Sequence, residues 1–149
     1  MSIEAKAEIY RGQSIEWESG LAPTPIITIG PDASPLEERD MLSDDSSIIA
    51  FLLNANSKVI GYSVARPASP DTVGIHLTRI HPELRGQGLV GVLMETLEEE
   101  LRERGYQYME RHAVVDNGYA DKVERHYKER IVFSEDEGKT RFFRIRIGR

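Results

Sequence analysis

Twelve consecutive residues carry the strongest chemical signal in this chain: Ile80-His81-Pro82-Glu83-Leu84-Arg85-Gly86-Gln87-Gly88-Leu89-Val90-Gly91. An apolar run ends at a proline, three glycines follow, and a helical pattern begins. A strand-to-helix junction of this kind gathers backbone N–H groups at one point. Its glycines let a ligand approach the main chain closely, and the helix N-terminus favours negative charge. The chemistry is anion binding, with a phosphate or pyrophosphate as the natural guest. A tight connection with no ligand would use the same glycines. No Gly-Lys-Ser/Thr follows, which argues against a P-loop, and a dinucleotide fingerprint would want G-x-G-x-x-G within repeated βαβ units.

Other elements must position that loop. The helix after it spans residues 89–104, with apolar side chains at 90, 93, 94, 97 and 101, and stops at Gly105. Before it, residues 48–53 and 59–65 are apolar runs around Asn54-Ala55-Asn56-Ser57-Lys58, which predicts an antiparallel hairpin, and residues 73–80 predict a third strand. Residues 106–115 predict a strand reached through the helix, hence a parallel crossover and a βαβ unit. Asp116 or Asn117 starts a second helix reaching about residue 129, and residues 131–134 and 140–147 close the chain as a hairpin. The first third is rich in Pro and Gly and leaves room for one short strand at 26–29. Ser34, Pro35 and Glu37 then open a helix running to about residue 42.

Length and composition bound the rest. The chain has 149 residues, 25 acidic against 19 basic side chains, a formal charge of −6 and no cysteine. One domain is expected, of a size that buries roughly 68–70% of its unfolded surface without disulfides or a structural metal. Thiolate nucleophiles and cysteine-held metals are excluded. His81, His112 and His126 have no metal-ligand spacing to nearby carboxylates and read as surface or rim residues, so no metal is expected. The acidic balance argues against nucleic acid as a partner and favours cationic small molecules or basic protein tails. Neither a signal segment nor a run of ~20 apolar residues is present, so no membrane association and a cytoplasmic location are expected. Two-fold dimers are the commonest soluble oligomers, which makes a homodimer the expected assembly if one forms.

In three places the sequence resembles the GNAT superfamily of acetyl-CoA-dependent N-acetyltransferases. The (Gln/Arg)-x-x-Gly-x-(Gly/Ala) signature falls on Arg85-Gly86-Gln87-Gly88-Leu89-Val90, and the hydrophobic-x-Pro before it on Ile80-His81-Pro82. The asparagine-to-tyrosine helix looks like Asn117 to Tyr127. The resemblance covers roughly the last two thirds of the chain. It implies an α/β (α+β) fold: a mixed, mostly antiparallel sheet with flanking helices, split where two central parallel strands diverge. Residues 1–46 would be a shortened acceptor-side segment, with Trp17, Tyr10 and Met41 in the part that shapes the acceptor pocket. Glu16, Glu18, Glu37 and Glu38 read there as exposed solubility charge, or as attraction for a cationic acceptor.

The resemblance also implies roles. Acetyl-CoA would be the acyl donor, its pyrophosphate held on amides from Gly86 to Gly91, with Arg85, Gln87, Leu89 and Val90 in the same loop. Its pantetheine arm would lie along the main chain of Thr78 and Ile80, and Asn117 would cap its helix, contact the cofactor, or both. His76, four residues before Ile80, would be the general base, since an imidazole suits proton removal at neutral pH. A carboxylate acting through water is the alternative, with Glu110 the candidate. Tyr127 would protonate the departing thiolate, with Tyr119 as fallback. The acceptor would be a small-molecule or protein amine. The rival reading is a catalytically weak acyl-CoA-binding or regulatory module, on the grounds of Val90 at the sixth signature position and the ten residues from Asn117 to Tyr127.

Overall fold

The computed structural model describes residues 4–12, 16–18, 46–81, 84 and 86–148. The strand expected at 26–29, the helix at 34–42, and Glu37, Glu38, Met41 and Arg85 lie outside these residues, as do the side chains of Glu16 and Trp17. Among the described residues eight strands form one sheet: β1 (Ala5–Ile9), β2 (Glu16–Trp17), β3 (Ile48–Asn54), β4 (Lys58–Ser69), β5 (Thr72–Ile80), β6 (Tyr108–Val114), β7 (Ile131–Glu137) and β8 (Thr140–Arg146). Two helices among the described residues accompany it, α1 (Leu89–Glu103) and α2 (Tyr119–His126). The order is β1-β3-β4-β5-β6-β8-β7, with β2 pairing in parallel with β4 at Lys58 and Val59.

β3, β4 and β5 pair antiparallel in sequence order. β3 reads as a continuous apolar run because both its faces are covered. Ile48, Ala50 and Leu52 join the helix-side core with Leu93, Leu97 and Leu101 of α1. Ile49, Phe51 and Leu53 join a second cluster with Tyr62, Val64 and Leu77 on the opposite face. Leu52 is fully buried, and such a side chain contributes about 1.5–3 kcal/mol through the apolar surface removed from water.

β1 corrects the expectation that the first third holds only one short strand. Ala5, Ala7 and Ile9 pack against the helix-side core, while Lys6 and Glu8 form a surface pair at 3.0 Å. That period-two alternation is a strand signal, and the exposed edge of β3 supplies the antiparallel partner. Beyond β1, Arg11 donates to Glu100 of α1 at 2.6 Å, and Arg104 donates to the same carboxylate at 2.8 Å. The charged cluster fastens β1 to the helix.

β5 and β6 pair in parallel at three positions only: Thr72 with Tyr108, Val73 with Met109 and Gly74 with Glu110. Past Gly74 they diverge. β6 is held on its other side by the whole length of β8, so the sheet opens along one seam while both halves stay intact. Among the described residues no helix is long and apolar enough to cross a membrane.

Candidate active site

The seam between β5 and β6 opens into a cleft of about 970 Å³, roofed by α1 and α2. Thr78 and Ile80 line it from β5, Val114 and Arg111 from β6, and Gly86, Gly88, Leu89, Val90 and Gly91 from the turn into α1. Asn117, Tyr119 and Tyr127 line it from α2 and its flanks. Most of the cofactor-site residues expected from the sequence thus come together here. Gln87 is exposed and does not line the cleft, and Arg85 lies outside the described residues.

The turn has the local geometry of an anion cradle. Gly86 and Gly88 adopt φ of 79° and 76°, a left-handed conformation that costs any residue with a Cβ. Gly88 is the N-cap of α1, and no side chain caps that end. A Cβ added at Gly86, Gly88 or Gly91 would meet no atom within 4 Å, so the space in front of the main chain is open. One amide is used internally, since Gly91 N–H donates to the Gly88 carbonyl at 3.2 Å. Val90 packs partly against the core and partly faces the cleft. An open glycine turn at an uncapped helix N-terminus fits a pyrophosphate, and the edge of β5 left unpaired by β6 fits an extended, amide-bearing arm.

A bulge in β5 decides which side chains face that arm. Val64 pairs with Leu77 and Ala65 with Ile75, leaving His76 without a partner on β4. Alternation therefore changes phase at His76. Val73 and Ile75 belong to the helix-side core before the bulge, as does Ile80 after it, whereas Leu77 turns to the opposite face. Thr78 shares the helix side, where its Oγ1 lies 2.9 Å from Ser63 Oγ. Counting back from Ile80 in steps of two puts His76 beside Thr78 in an unbroken strand. In the bulged strand its ring stands over Gly74, 3.4 Å from where a Gly74 Cβ would be.

His76 therefore does not line the cleft, and neither does Glu110. Both are instead near the point where β5 and β6 part. Gly74 is the register partner of Glu110, and Glu110 alternates with Met109 and Arg111, away from the helices. Burial, and then the charge of Arg66, push the His76 pKa below its ordinary value, so the imidazole is neutral at neutral pH. Glu110 accepts a hydrogen bond from Arg144 at 3.0 Å.

On the helix side, Tyr127 ends α2 as its C-cap and is buried. Its hydroxyl donates to Glu98 of α1, and Arg130 lies 3.7 Å from the same carboxylate. Burial raises the Tyr127 pKa first and the charge of Glu98 adds to it, so the phenol stays protonated. Asn117 Oδ1 accepts the Tyr119 amide at 3.0 Å, so its side chain supports the start of α2 while lining the cleft. Tyr119 Oη accepts from Arg111 at 2.7 Å. His126 is an exposed rim residue packed edge-on against Tyr127, and His112 is paired with Glu137 at 3.1 Å.

Glu98 and Arg111 also line the cleft without belonging to any motif, and both carry a signal in the sequence. Glu98 lies four residues after Met94 and three before Leu101, on the apolar face of α1. Arg111 stands between Met109 and Ala113 on the buried face of β6. A charged residue at an inward-facing position marks a site as clearly as a motif does.

A family model described as the acetyltransferase (GNAT) family matches residues 9–127. No curated protein matches the chain. Among solved structures, a GNAT family acetyltransferase from Elizabethkingia anophelis with acetyl-CoA bound is similar with a TM-score of 0.62 at 12% identity. That match covers 96% of this chain and 98% of the other. The ribosomal-protein-S18-alanine N-acetyltransferase from Escherichia coli is similar at 0.55 and 16% identity, over 75% and 77% of the two chains. Nourseothricin acetyltransferase is similar at 0.52 and 16%, over 70% and 67%. These likenesses establish the fold.

Proposed function

The chain belongs to the acetyltransferase (GNAT) family, and on that premise we propose that it moves the acetyl group of acetyl-CoA to a primary amine, the donor occupying the cleft between β5 and β6. The observation that carries this reading is the parting of those strands beyond Gly74 into a cleft whose other end is an open glycine turn at an uncapped helix. Bound acetyl-CoA supplies an acyl group activated as a thioester. Main-chain amides between Gly86 and Gly91 hold the pyrophosphate, and the free edge of β5 around Thr78 and Ile80 holds the pantetheine arm. Two of the similar solved structures are named for different acceptors, one for nourseothricin and one for the alanine of ribosomal protein S18. The class of acceptor here is therefore a small-molecule or protein amine.

The acceptor approaches from the sheet face that carries His76 and Glu110. His76, neutral at neutral pH, takes the proton of the attacking amine. Glu110 is the alternative, reached through water, although its carboxylate is already engaged by Arg144. Tyr127 serves the departing sulfur on the helix side. Because its pKa is raised, it acts there as a hydrogen-bond donor more than as a source of a free proton, and its hydroxyl must turn from Glu98 to do so. Glu98 is then a positioning residue. Tyr119 is the second reading for this role, favoured by an oxygen that accepts from Arg111 and so keeps its own hydrogen for the cleft.

CoA at a hundredfold excess over its Kd should stabilise the native protein by about 2.7 kcal/mol. Thiol release from acetyl-CoA should then appear with some member of an amine panel. A melting temperature indifferent to saturating CoA and acetyl-CoA would overturn the donor site. A CoA shift with no turnover on any amine would instead favour the binding-module reading.

A further inference from the structure

We propose that the acyl end of the cleft accepts an acyl group bearing a terminal carboxylate, such as a short dicarboxylic acyl-CoA, with Arg111 as the residue that receives it. The inference rests on the donor-site reading above and adds to it the class of acyl group.

Arg111 is 3% exposed, yet it lines the cleft. A buried guanidinium is ordinarily neutralised by a carboxylate held at short range. Here the hydrogen-bond partner is neutral: one terminal nitrogen donates to the Tyr119 hydroxyl at 2.7 Å, the group lies 5.6 Å from the ring centroid of Tyr119, and Nε has no partner at all. Glu98, the buried carboxylate that lines the same cleft, is already engaged by Tyr127 and faced by Arg130. Arg111 is thus a buried positive charge on this cleft with unused donor capacity. Its missing partner is an anion.

Position decides which anion. Arg111 is the first residue of β6 beyond the last register pair, Gly74 with Glu110, and so sits at the apex of the opening. The glycine turn follows the far end of β5 at Ile80. Those six residues of strand advance about 20 Å at ~3.3 Å per residue. With the pyrophosphate at the turn and the arm along β5, the thioester end lies towards the apex and the CoA phosphates lie away from it. The anion that reaches Arg111 is therefore one carried by the acyl group itself. Guanidinium and carboxylate pair well because the planar fork of donors matches the two oxygens.

The transfer conserves that charge. The amine nitrogen bonds to the thioester carbonyl carbon, and the carbon–sulfur bond breaks with its electron pair leaving on sulfur. The amine proton goes to the base, sulfur takes up a proton, and the distal carboxylate passes unchanged into the new amide.

Calorimetric titration of the full chain with CoA, acetyl-CoA, butyryl-CoA and succinyl-CoA, in the absence of acceptor, tests the assignment. Succinyl-CoA should bind about tenfold or more tightly than butyryl-CoA, which has the same four-carbon acyl chain without the charge. Arg111→Met should erase that difference while leaving the affinity for CoA itself nearly unchanged. Equal binding of succinyl- and butyryl-CoA by the wild-type protein would overturn the proposal whether or not the variant folds. An Arg111→Met variant that lost affinity for all four ligands alike would also overturn it, assigning the guanidinium to the common CoA portion. Binding of none of the four would instead bring down the donor site on which the proposal rests.

Discussion

The seam between β3 and β4 and the seam between β5 and β6 lie two strands apart in one sheet, yet they are built by opposite rules. β3 and β4 pair from Ile48 with Ala65 to Leu53 with Val59, and apolar side chains fill both faces. β5 and β6 pair for three residues and then separate, and Glu98, Arg111 and Tyr127 are buried where they do so. A closed seam satisfies its backbone internally and asks its side chains only to be apolar and of the right size. An open seam exposes a strand edge that a ligand must satisfy, and it holds buried polar groups whose cost is offset by one another or by what binds. Stability is concentrated in the first region and chemistry in the second.

Substitution should separate the two. Tyr127→Phe should lower kcat by about 10²–10⁴-fold if donation to the departing sulfur limits the rate, with little change in CoA affinity, as read by steady-state kinetics beside calorimetry. Leu52→Ala should cost about 2–5 kcal/mol of stability, measured by denaturant titration, and leave kcat of the folded fraction close to wild type. Full activity in Tyr127→Phe would move the donor role to Tyr119 or solvent. A Leu52→Ala variant that lost turnover without losing stability would show that the division between the regions is wrong.

The same division governs what the sequence reveals. Apolar runs at 48–53 and 59–65, the helical spacing of Leu93, Met94, Leu97 and Leu101, and the glycine turn all act through short-range patterns. Their elements start within one or two residues of expectation, and the one misjudged end is that of β4, which runs four residues past 65 to Ser69. The bulge at His76 has no such local mark: it is defined by the register of β5 against β4, so reading the strand by simple alternation assigns His76 to the wrong face. The pairing of Tyr127 with Glu98 joins residues 29 positions apart, and the stacking of Arg111 on Tyr119 depends on where α2 lands over β6. Cleft residues supplied by a motif were legible, whereas those supplied by the packing of separate elements showed only as charges on otherwise apolar faces.

Two glycines at opposite ends of α1 sharpen the contrast. Gly88 and Gly105 have φ of 76° and 93°, and a Cβ at either would meet no atom within 4 Å. Each substitution to valine should cost at least about 1–2 kcal/mol, because an L side chain strains the left-handed backbone. Only Gly88→Val should also abolish stabilisation by CoA, since only that side chain would stand in the cradle. Thermal melts of both variants with and without CoA distinguish the conformational cost, common to both, from the loss of ligand. A CoA shift that survived in Gly88→Val would place the pyrophosphate elsewhere.

The smallest expected effects lie in pH, and they fall in two windows. The pKa of Glu100 is lowered, first by the hydrogen bond from Arg11. Its contribution is therefore complete above the unfolded carboxyl value of about 4.3 and fades as pH falls through the lowered folded value. His76 is also lowered, but by burial, which disfavours its charged form. As pH falls below the unfolded imidazole value of about 6.5 the unfolded chain takes up the proton first, so stability drops from there towards the folded pKa. His76 is exposed, as are the Arg11 and Arg104 side chains that pair with the buried Glu100, so solvent screens both interactions and each effect should stay below about 1 kcal/mol. Melting temperatures between pH 3 and 8 should show His76→Gln flattening the upper window and Glu100→Gln the lower one, where the wild-type ion cluster is lost. The base role adds a kinetic signature to the upper window alone. If His76 takes the amine proton, kcat/KM falls in acid as the imidazole becomes charged, and His76→Gln removes that limb. Glu100→Gln, acting through the anchoring of β1 to α1, leaves it in place. Identical acid limbs in wild type and His76→Gln would transfer the base role to Glu110 or a water chain while leaving the stability windows as described.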